Sequence, residues 1–401
     1  MTKYILLLCS IAASAIGDPG TLSMEQALEL ARNHSPELRA FRMVAQAAGK
    51  GLSAAGLWNN PILQVEAEGV GGDMDGFNDG EYTIGLMQRF KRGGKQTHER
   101  DIAFQTLEAA GNAASEAELE LAGQVRRAFI EVMAQQEIGK VRVEQEQLGR
   151  AFVEVAQRRR DAGGGSDLDV VQAELALEEI ILTQTCCFGD LAAEQEMLAS
   201  LIGIPKQKLG EVVSPYYELE PLELFALDDS YPALQRLAAE SEKVRAEARQ
   251  AKAQDASDVL LGAGYRYEAA GDINSFVFSI AMPLSFNKRG RAESAAASLR
   301  ADALLAERAE ARRKLQAELA TVSALYRGSK LEVELTKNNL IPKAEQAYEL
   351  SRAGYDAGRF SWVELIAAQQ NLADLRIRYI ESLRDAHLAR AQISKFMKEG
   401  I

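Results

Sequence analysis

The chain states one motif twice. Asp161-Ala162-Gly163, Ser166 and Leu168-Asp169-Val170-Val171 stand near its middle. Asp356-Ala357-Gly358, Ser361 and Val363-Glu364-Leu365-Ile366 stand near its end, 195 positions later. The match extends outward: Pro36 answers Tyr231-Pro232, and Lys91-Arg92-Gly93 answers Lys288-Arg289-Gly290. A tandem duplication inside 401 residues constrains the fold more than length does, because neither copy alone can bury its faces. The expected organisation is a first repeat over 22–202, a connecting belt over 203–228 and a second repeat over 229–398.

Each copy reads as helix, two strands, very long helix, tight turn, helix. Ser23 caps the first helix, with Gln26 at the third helical position as its capping-box partner. Pro36 interrupts that helix, and Asn59-Asn60-Pro61 ends it. The hydrophobic period then changes to two. Leu63, Val65 and Ala67 alternate with Gln64, Glu66 and Glu68, and Tyr82, Ile84 and Leu86 with Glu81, Thr83 and Gly85, giving strands at about 62–70 and 81–90. The second copy predicts strands at about 258–268 and 274–286. There Val259, Leu261, Ala263, Tyr265 and Tyr267 share a face, as do Phe276, Phe278, Ile280, Met282 and Leu284. Arg266, Glu268, Ser279 and Ala281 point the other way. An apolar face of aliphatic residues with aromatics near the strand ends, opposite small and polar residues, fits a lipid-facing barrel wall. The alternative is a half-buried sheet in a soluble domain.

Each hairpin feeds a helix of unusual length, from about Lys95 to Arg160 and from about Arg291 to Tyr355, each approaching roughly 100 Å at about 1.5 Å per residue. Leu121, Val125, Ala128 and Val132, and again Leu315, Leu319, Val322 and Tyr326, are spaced as coiled-coil seams. Pro342 lies inside the second long helix and is expected to bend or break it. Gln147 holds the matching place in the first copy. The reversals at 161–166 and 356–361 rely on Gly163 and Gly358 for a permissive backbone. Ser166 and Ser361 cap the returning helices, with Asp169 and Glu364 as capping-box partners.

Composition excludes several classes. Charged residues make up 26% and aromatics 6%, with a net charge of −12, which suits long helices and argues against a nucleic-acid partner. Lys3, the apolar run Ile5–Ala13 and Ala13-Ser14-Ala15 read as an export signal, expected over 1–15, with a buried N-terminal strand as the alternative. Cys9 follows Leu6-Leu7-Leu8, a faint lipoprotein pattern placed early and behind a large residue. Either export reading takes the chain beyond the inner membrane. Cys186 and Cys187 are adjacent in a helical stretch and read as packing residues, with a metal or redox role as the other option. His34, His98 and His387 have no partner at ligand spacing, so no metal site and no cofactor are assigned. No phosphate loop or nucleophile motif points to catalysis.

No stretch after the signal reaches the roughly 18 apolar residues that a membrane helix needs. Four strands cannot close a barrel, and bilayers exclude open edges. If the strands span a membrane, copies of the chain must share one barrel, closed by cyclic symmetry.

At this point the chain resembles a family. Met282-Pro283-Leu284-Ser285-Phe286-Asn287-Lys288-Arg289-Gly290 is similar to the segment where a second hairpin enters its long helix. Leu340-Ile341-Pro342-Lys343-Ala344-Glu345, Tyr355, Gly358, Val363-Glu364-Leu365 and Gln369-Gln370-Asn371-Leu372 resemble the C-terminal signature. The family is the TolC-like outer membrane efflux channels. Within it, Asn60-Pro61-Ile62-Leu63, Gln88 to Lys95 and Pro283 to Gly290 look like the CzcC-type heavy-metal branch, although Lys91-Arg92 replaces that branch's usual acidic residue before Gly93.

The resemblance implies a homotrimer. Its twelve strands form a β-barrel in outer membrane lipid, and its twelve helices form a tunnel across the periplasm. The tip meets a periplasmic adaptor and an inner membrane pump of the resistance-nodulation-division type. It implies a passive export duct for heavy-metal cations. Drug or protein export through the same fold is the alternative within the class, and a soluble periplasmic coiled-coil scaffold the alternative outside it. Tyr355 matches the family's tip tyrosine, a latch or a packing residue. Arg158, Arg159, Arg160 and Asp161, with Arg352, Asp356 and Arg359, are candidates for a tip gate or an adaptor contact. Asp169 and Glu364 are candidates for an acidic ring at the entrance, attractive to cations. Gly163, Ser166, Gly358 and Ser361 are expected to be structural.

Overall fold

The computed structural model describes residues 20–70, 78–219, 221, 226–284, 286–287 and 289–397. The expected signal over 1–15 with Cys9, and Ser285 and Lys288 of the second hairpin's exit, lie outside them.

In chain order the elements are β1 (Thr21–Leu22), α1 (Met24–His34), α2 (Pro36–Ala55), β2 (Ile62–Glu68) and β3 (Glu81–Phe90). Then come α3 (Lys95–Asp161), α4 (Asp167–Ile202), a 3-10 turn at Lys206–Lys208 and β4 (Glu211–Val212). The second half gives α5 (Pro232–Ala253), β5 (Val259–Glu268), β6 (Ile273–Ala281), α6 (Arg289–Leu335), a π turn (Thr336–Leu340), α7 (Ile341–Asp356) and α8 (Trp362–Met397). The α3 helix is 67 residues long, far beyond the usual three or four turns.

Local chemistry explains the boundaries. Ser23 and Gln26 form the capping box of α1, with Ser23 N–H donating to Gln26 Oε1 at 2.9 Å. Pro36 then starts α2, where the missing N–H costs nothing. Arg289–Gly290 opens α6, and Asp255 Oδ1 accepts from Gly290 N–H at 3.0 Å, so a carboxylate occupies the positive end of that helix.

Two differences from the sequence reading have physical causes. The strand expected over 274–286 closes at Ala281, because Pro283 has no N–H for a ladder. The bend expected at Pro342 is a π turn just before it, in which Ile341 N–H reaches back to Thr336 O. A wider turn accommodates the proline without breaking the run, while α3 passes the matching position unbroken.

The chain divides into two compact units, and each draws on both repeats. The first contains the described residues of Met1–Leu38, Ala117–Leu227 and Leu315–Ile401. Its core packs Ala27 and Ala31 of α1, Val125, Phe129 and Val132 of α3, Leu198 and Ile202 of α4, and Ile380 and Leu383 of α8. Full burial of each large side chain here stabilises by about 1.5–3 kcal/mol. The belt joins this core: β4 pairs in parallel with β1, and Tyr216 Oη donates to Ile380 O at 2.8 Å. Both seams are inward, with Val125, Val132, Val322 and Tyr326 buried.

The second unit is Arg39–Glu116 with Asp228–Lys314. It holds a four-stranded antiparallel sheet in the order β2-β3-β5-β6, so the two repeats meet at the β3–β5 pairing.

Candidate functional site

Two places carry the functional residues, one in each unit. The first is the sheet. Its register aligns Val65, Ile84, Tyr265 and Phe276 in one row, and Leu63, Leu86, Ala263 and Phe278 in the next. These rows make one apolar face. Phe276 is 79% exposed, Phe278 81% and Ile280 74%, far more than a soluble sheet tolerates for contiguous large apolar side chains.

The opposite face carries Glu66, Thr83, Arg266 and Ser275 in one row, and Gln64, Gly85, Gly264 and Val277 in the next. Arg266 donates from Nε to Thr83 Oγ1 at 3.0 Å and from Nη1 to Glu81 Oε2 at 2.8 Å. Gly264 is required: a Cβ there would stand 2.9 Å from Ile84 O. Among the described residues β2 and β6 each pair on one side only, so both edges are open. Bilayer solvation forbids such edges unless another chain covers them.

The second place is the pair of helix reversals. They repeat atom for atom. Gly163 N–H donates to Arg160 O at 2.9 Å and Gly164 N–H to Arg159 O at 2.9 Å. Gly358 N–H donates to Tyr355 O at 3.0 Å and Arg359 N–H to Gly354 O at 2.8 Å. Each is a Schellman closure, with Gly163 at φ +76° and Gly358 at φ +70°.

Ser166 and Asp169 complete a capping box, with Asp169 Oδ2 accepting from Ser166 N–H at 3.0 Å. Ser361 donates to Glu364 Oε2 from N–H at 2.7 Å and from Oγ at 2.9 Å. The Ser361 N–H bond, then the Ser361 hydroxyl, hold the exposed Glu364 carboxyl below its ordinary range.

The charged candidates separate into distinct environments. Arg159 is half-buried, with its guanidinium 4.4 Å from the centroid of the Tyr355 ring and Nη1 donating to Tyr355 O at 3.1 Å. Arg160 pairs with its neighbour Asp161 at 2.8 Å, and Arg158 Nε donates to Glu154 O at 3.3 Å. Arg352, Asp356 and Arg359 are exposed and make no ion pair among the described residues. Tyr355 is buried in an aromatic cluster: Trp362 lies 5.6 Å from it, and Phe152 lies 5.5 Å from Trp362. Sequence reasoning missed Trp362 and Phe152. Position Trp362, directly after the capping serine, was the available signal.

Of the histidines, His387 Nε2 donates to Tyr216 O at 2.7 Å and His34 Nδ1 to Leu30 O at 2.9 Å. His98 lies 3.9 Å from Asp101. Cys186 is exposed and Cys187 buried. Among the described residues, no group of three or more His, Cys, Asp or Glu could hold a metal ion, and no helix is long and apolar enough to cross a membrane.

The comparisons agree with this geometry. The family model described as outer membrane efflux protein matches residues 27–203 and again 227–397. The cobalt-zinc-cadmium resistance protein CzcC of Cupriavidus metallidurans is 23% identical over 386 residues, covering 94% of this chain and 90% of that protein. Protein CyaE of Bordetella pertussis is 27% identical over 384 residues, covering 90% of this chain and 80% of that one. The open state of the Neisseria gonorrhoeae outer membrane channel MtrE superposes with a TM-score of 0.78 at 16% identity, covering 94% and 89% of the two chains. The fold is that of the TolC-like channels, and the double match of the family model coincides with the internal duplication. An apolar sheet wall, paired helix reversals and two copies of the family domain place this chain in the outer membrane efflux protein family, as a channel of the outer membrane and not an enzyme.

Proposed function

We propose that the protein is the passive outer membrane duct of a tripartite efflux system for heavy-metal cations. The observation that carries the duct is the sheet: one continuous apolar face, one polar face and two open edges. Three copies would join their β2 and β6 edges into a twelve-stranded barrel, with the Glu66, Thr83 and Arg266 row toward the lumen. Energy would come from an inner membrane pump of the resistance-nodulation-division type, passed through a periplasmic adaptor.

The reversals around Gly163 and Gly358 are the proposed tip. Arg158, Arg160, Arg352, Asp356 and Arg359 are exposed there and available to an adaptor, whereas Arg159 and Tyr355 hold the two reversals to each other. Glu364, repeated by symmetry with Asp169, would form acidic rings that favour cations. The similarity to CzcC over 94% of the chain supports a divalent metal cargo, as does the net charge of −12. The ion is cargo, and a tight site would slow its release.

Deleting the gene should raise sensitivity to cobalt, zinc or cadmium. A strain that becomes sensitive only to dyes and antibiotics would overturn the metal cargo and leave the duct. A protein that purifies as a water-soluble monomer without detergent would overturn the duct itself.

A further inference from the structure

The second unit has an unusual junction between its sheet and its helices. At the foot of the apolar face Trp58 and Phe90 make an edge-to-face pair with ring centroids 5.8 Å apart. Trp58 is 62% exposed, and Met282, Leu284 and Phe286 are exposed at the exit of β6. A cation belongs to the same place. Arg92 Nη1 lies 3.7 Å from the Met282 sulfur, and the Arg92 N–H donates to Asp258 Oδ1 at 3.3 Å.

The two neighbouring lysines are spoken for. Lys91 bonds Glu99 at 2.5 Å, and the buried Lys95 bonds Asp258 at 2.7 Å. Arg92 is exposed, and among the described residues its guanidinium has no carboxylate within ion-pair distance. The arrangement is an apolar wall that ends in exposed aromatic rings, with an exposed cation whose guanidinium rests one edge against a thioether and meets no carboxylate among the described residues. That is how side chains meet the headgroup layer of a bilayer.

Resting on the outer membrane reading above, we infer that this junction selects anionic phospholipid: Arg92 holds the headgroup phosphate, and Trp58, Phe90 and Met282 meet the first carbons of the acyl chains. Charge complementarity is local. The chain as a whole carries −12 and would repel an anionic surface, so a preference for anionic lipid has to come from a placed cation. One cation at such a surface favours anionic lipid by about fivefold.

The chain supplies its own probe. It has two tryptophans. Trp362 is 4% exposed, so it gives a constant background, and Trp58 reports the junction. The full-length protein would be reconstituted in phosphatidylcholine vesicles doped with brominated phosphatidylglycerol or with brominated phosphatidylcholine. Brominated phosphatidylglycerol should quench at about one fifth of the mole fraction that brominated phosphatidylcholine needs. Arg92→Gln should bring the two lipids to parity and leave quenching by brominated phosphatidylcholine unchanged, which shows that insertion is intact. Parity in the wild type, or an unchanged preference in Arg92→Gln, overturns the inference. Quenching by neither lipid overturns the membrane reading itself, and the inference with it.

Discussion

Arg159 lies over Tyr355, 4.4 Å from the ring centroid, and Nη1 of the same guanidinium donates to the Tyr355 carbonyl at 3.1 Å. One side chain therefore joins the last turn of α3 to the last turn of α7 by its face and by its edge. Equivalent positions in the two repeats carry different residues here: Arg159 corresponds to Gly354, and Arg160 to Tyr355. Duplication supplied the frame, and divergence supplied the joint.

The joint uses the ring of Tyr355 and its backbone, not its hydroxyl. Tyr355→Phe should therefore keep the tip closed, whereas Arg159→Gln should raise single-channel conductance in planar bilayers. Arg160→Gln should do less, because that side chain is exposed and pairs with Asp161. Losing the stacked cation costs about 0.5–2 kcal/mol, and Arg159→Gln combined with Tyr355→Ala should be strongly non-additive. A rise in conductance with Tyr355→Phe alone would move the latch to the hydroxyl and a sister copy.

The two reversals make a matched pair of backbone tests. Gly163 and Gly358 sit at φ +76° and +70°. Alanine at either should cost about 1–2 kcal/mol, and asparagine less. Gly354 fails for another reason: a Cβ there would stand 2.1 Å from the Phe360 ring. Gly354→Ala should thus loosen the tip although its own φ is ordinary. Amide exchange over 159–169 and 354–364 would read all three, and Gly354→Ala behaving like wild type would contradict the packing.

Acid should act on Glu364 in a defined direction. Its bonds from Ser361 lower its pKa, so the cap is formed at neutral pH, persists through the ordinary carboxylate range and is lost as pH falls through the depressed value. Cation selectivity, read as reversal potential in a salt gradient, should weaken over the same low window and be lower at neutral pH in Glu364→Gln, with the Asp169 ring left to supply the remainder. If carboxylates of sister copies crowd together, mutual repulsion moves the midpoint upward instead. A midpoint at or above the ordinary range would report that closeness.

Much of this was legible because it is local. Ser23, Ser166 and Ser361 announced their caps, Gly163 and Gly358 their turns, and alternation announced β2, β3 and β5. Non-local chemistry was hidden. Nothing in the sequence placed β3 beside β5, or put Tyr216 against Ile380 and His387. The π turn before Pro342 was hidden because a proline signals trouble without saying which relief the chain takes. The early end of β6 followed from Pro283, but the continuing run Met282, Leu284 and Phe286 outweighed it in the period count.

The sheet allows a prediction that separates its faces. Phe278 stands in the apolar row with Ala263, Leu86 and Leu63, and Gln64 in the polar row with Gly85, Gly264 and Val277. Arginine at position 278 would have to face hydrocarbon, at a cost of about 2–4 kcal/mol near the bilayer midplane. Arginine at position 64 would face the other way, beside Glu66, and keep its water. Phe278→Arg should therefore reduce the amount of protein in the outer membrane fraction, and Gln64→Arg should leave that amount intact and shift the channel toward anions. Each protomer repeats the substitution around a closed barrel, so both effects should be steep. If Phe278→Arg inserted as well as wild type, the exposed aromatic row would be covered by protein, and the sheet would be half of a soluble sandwich.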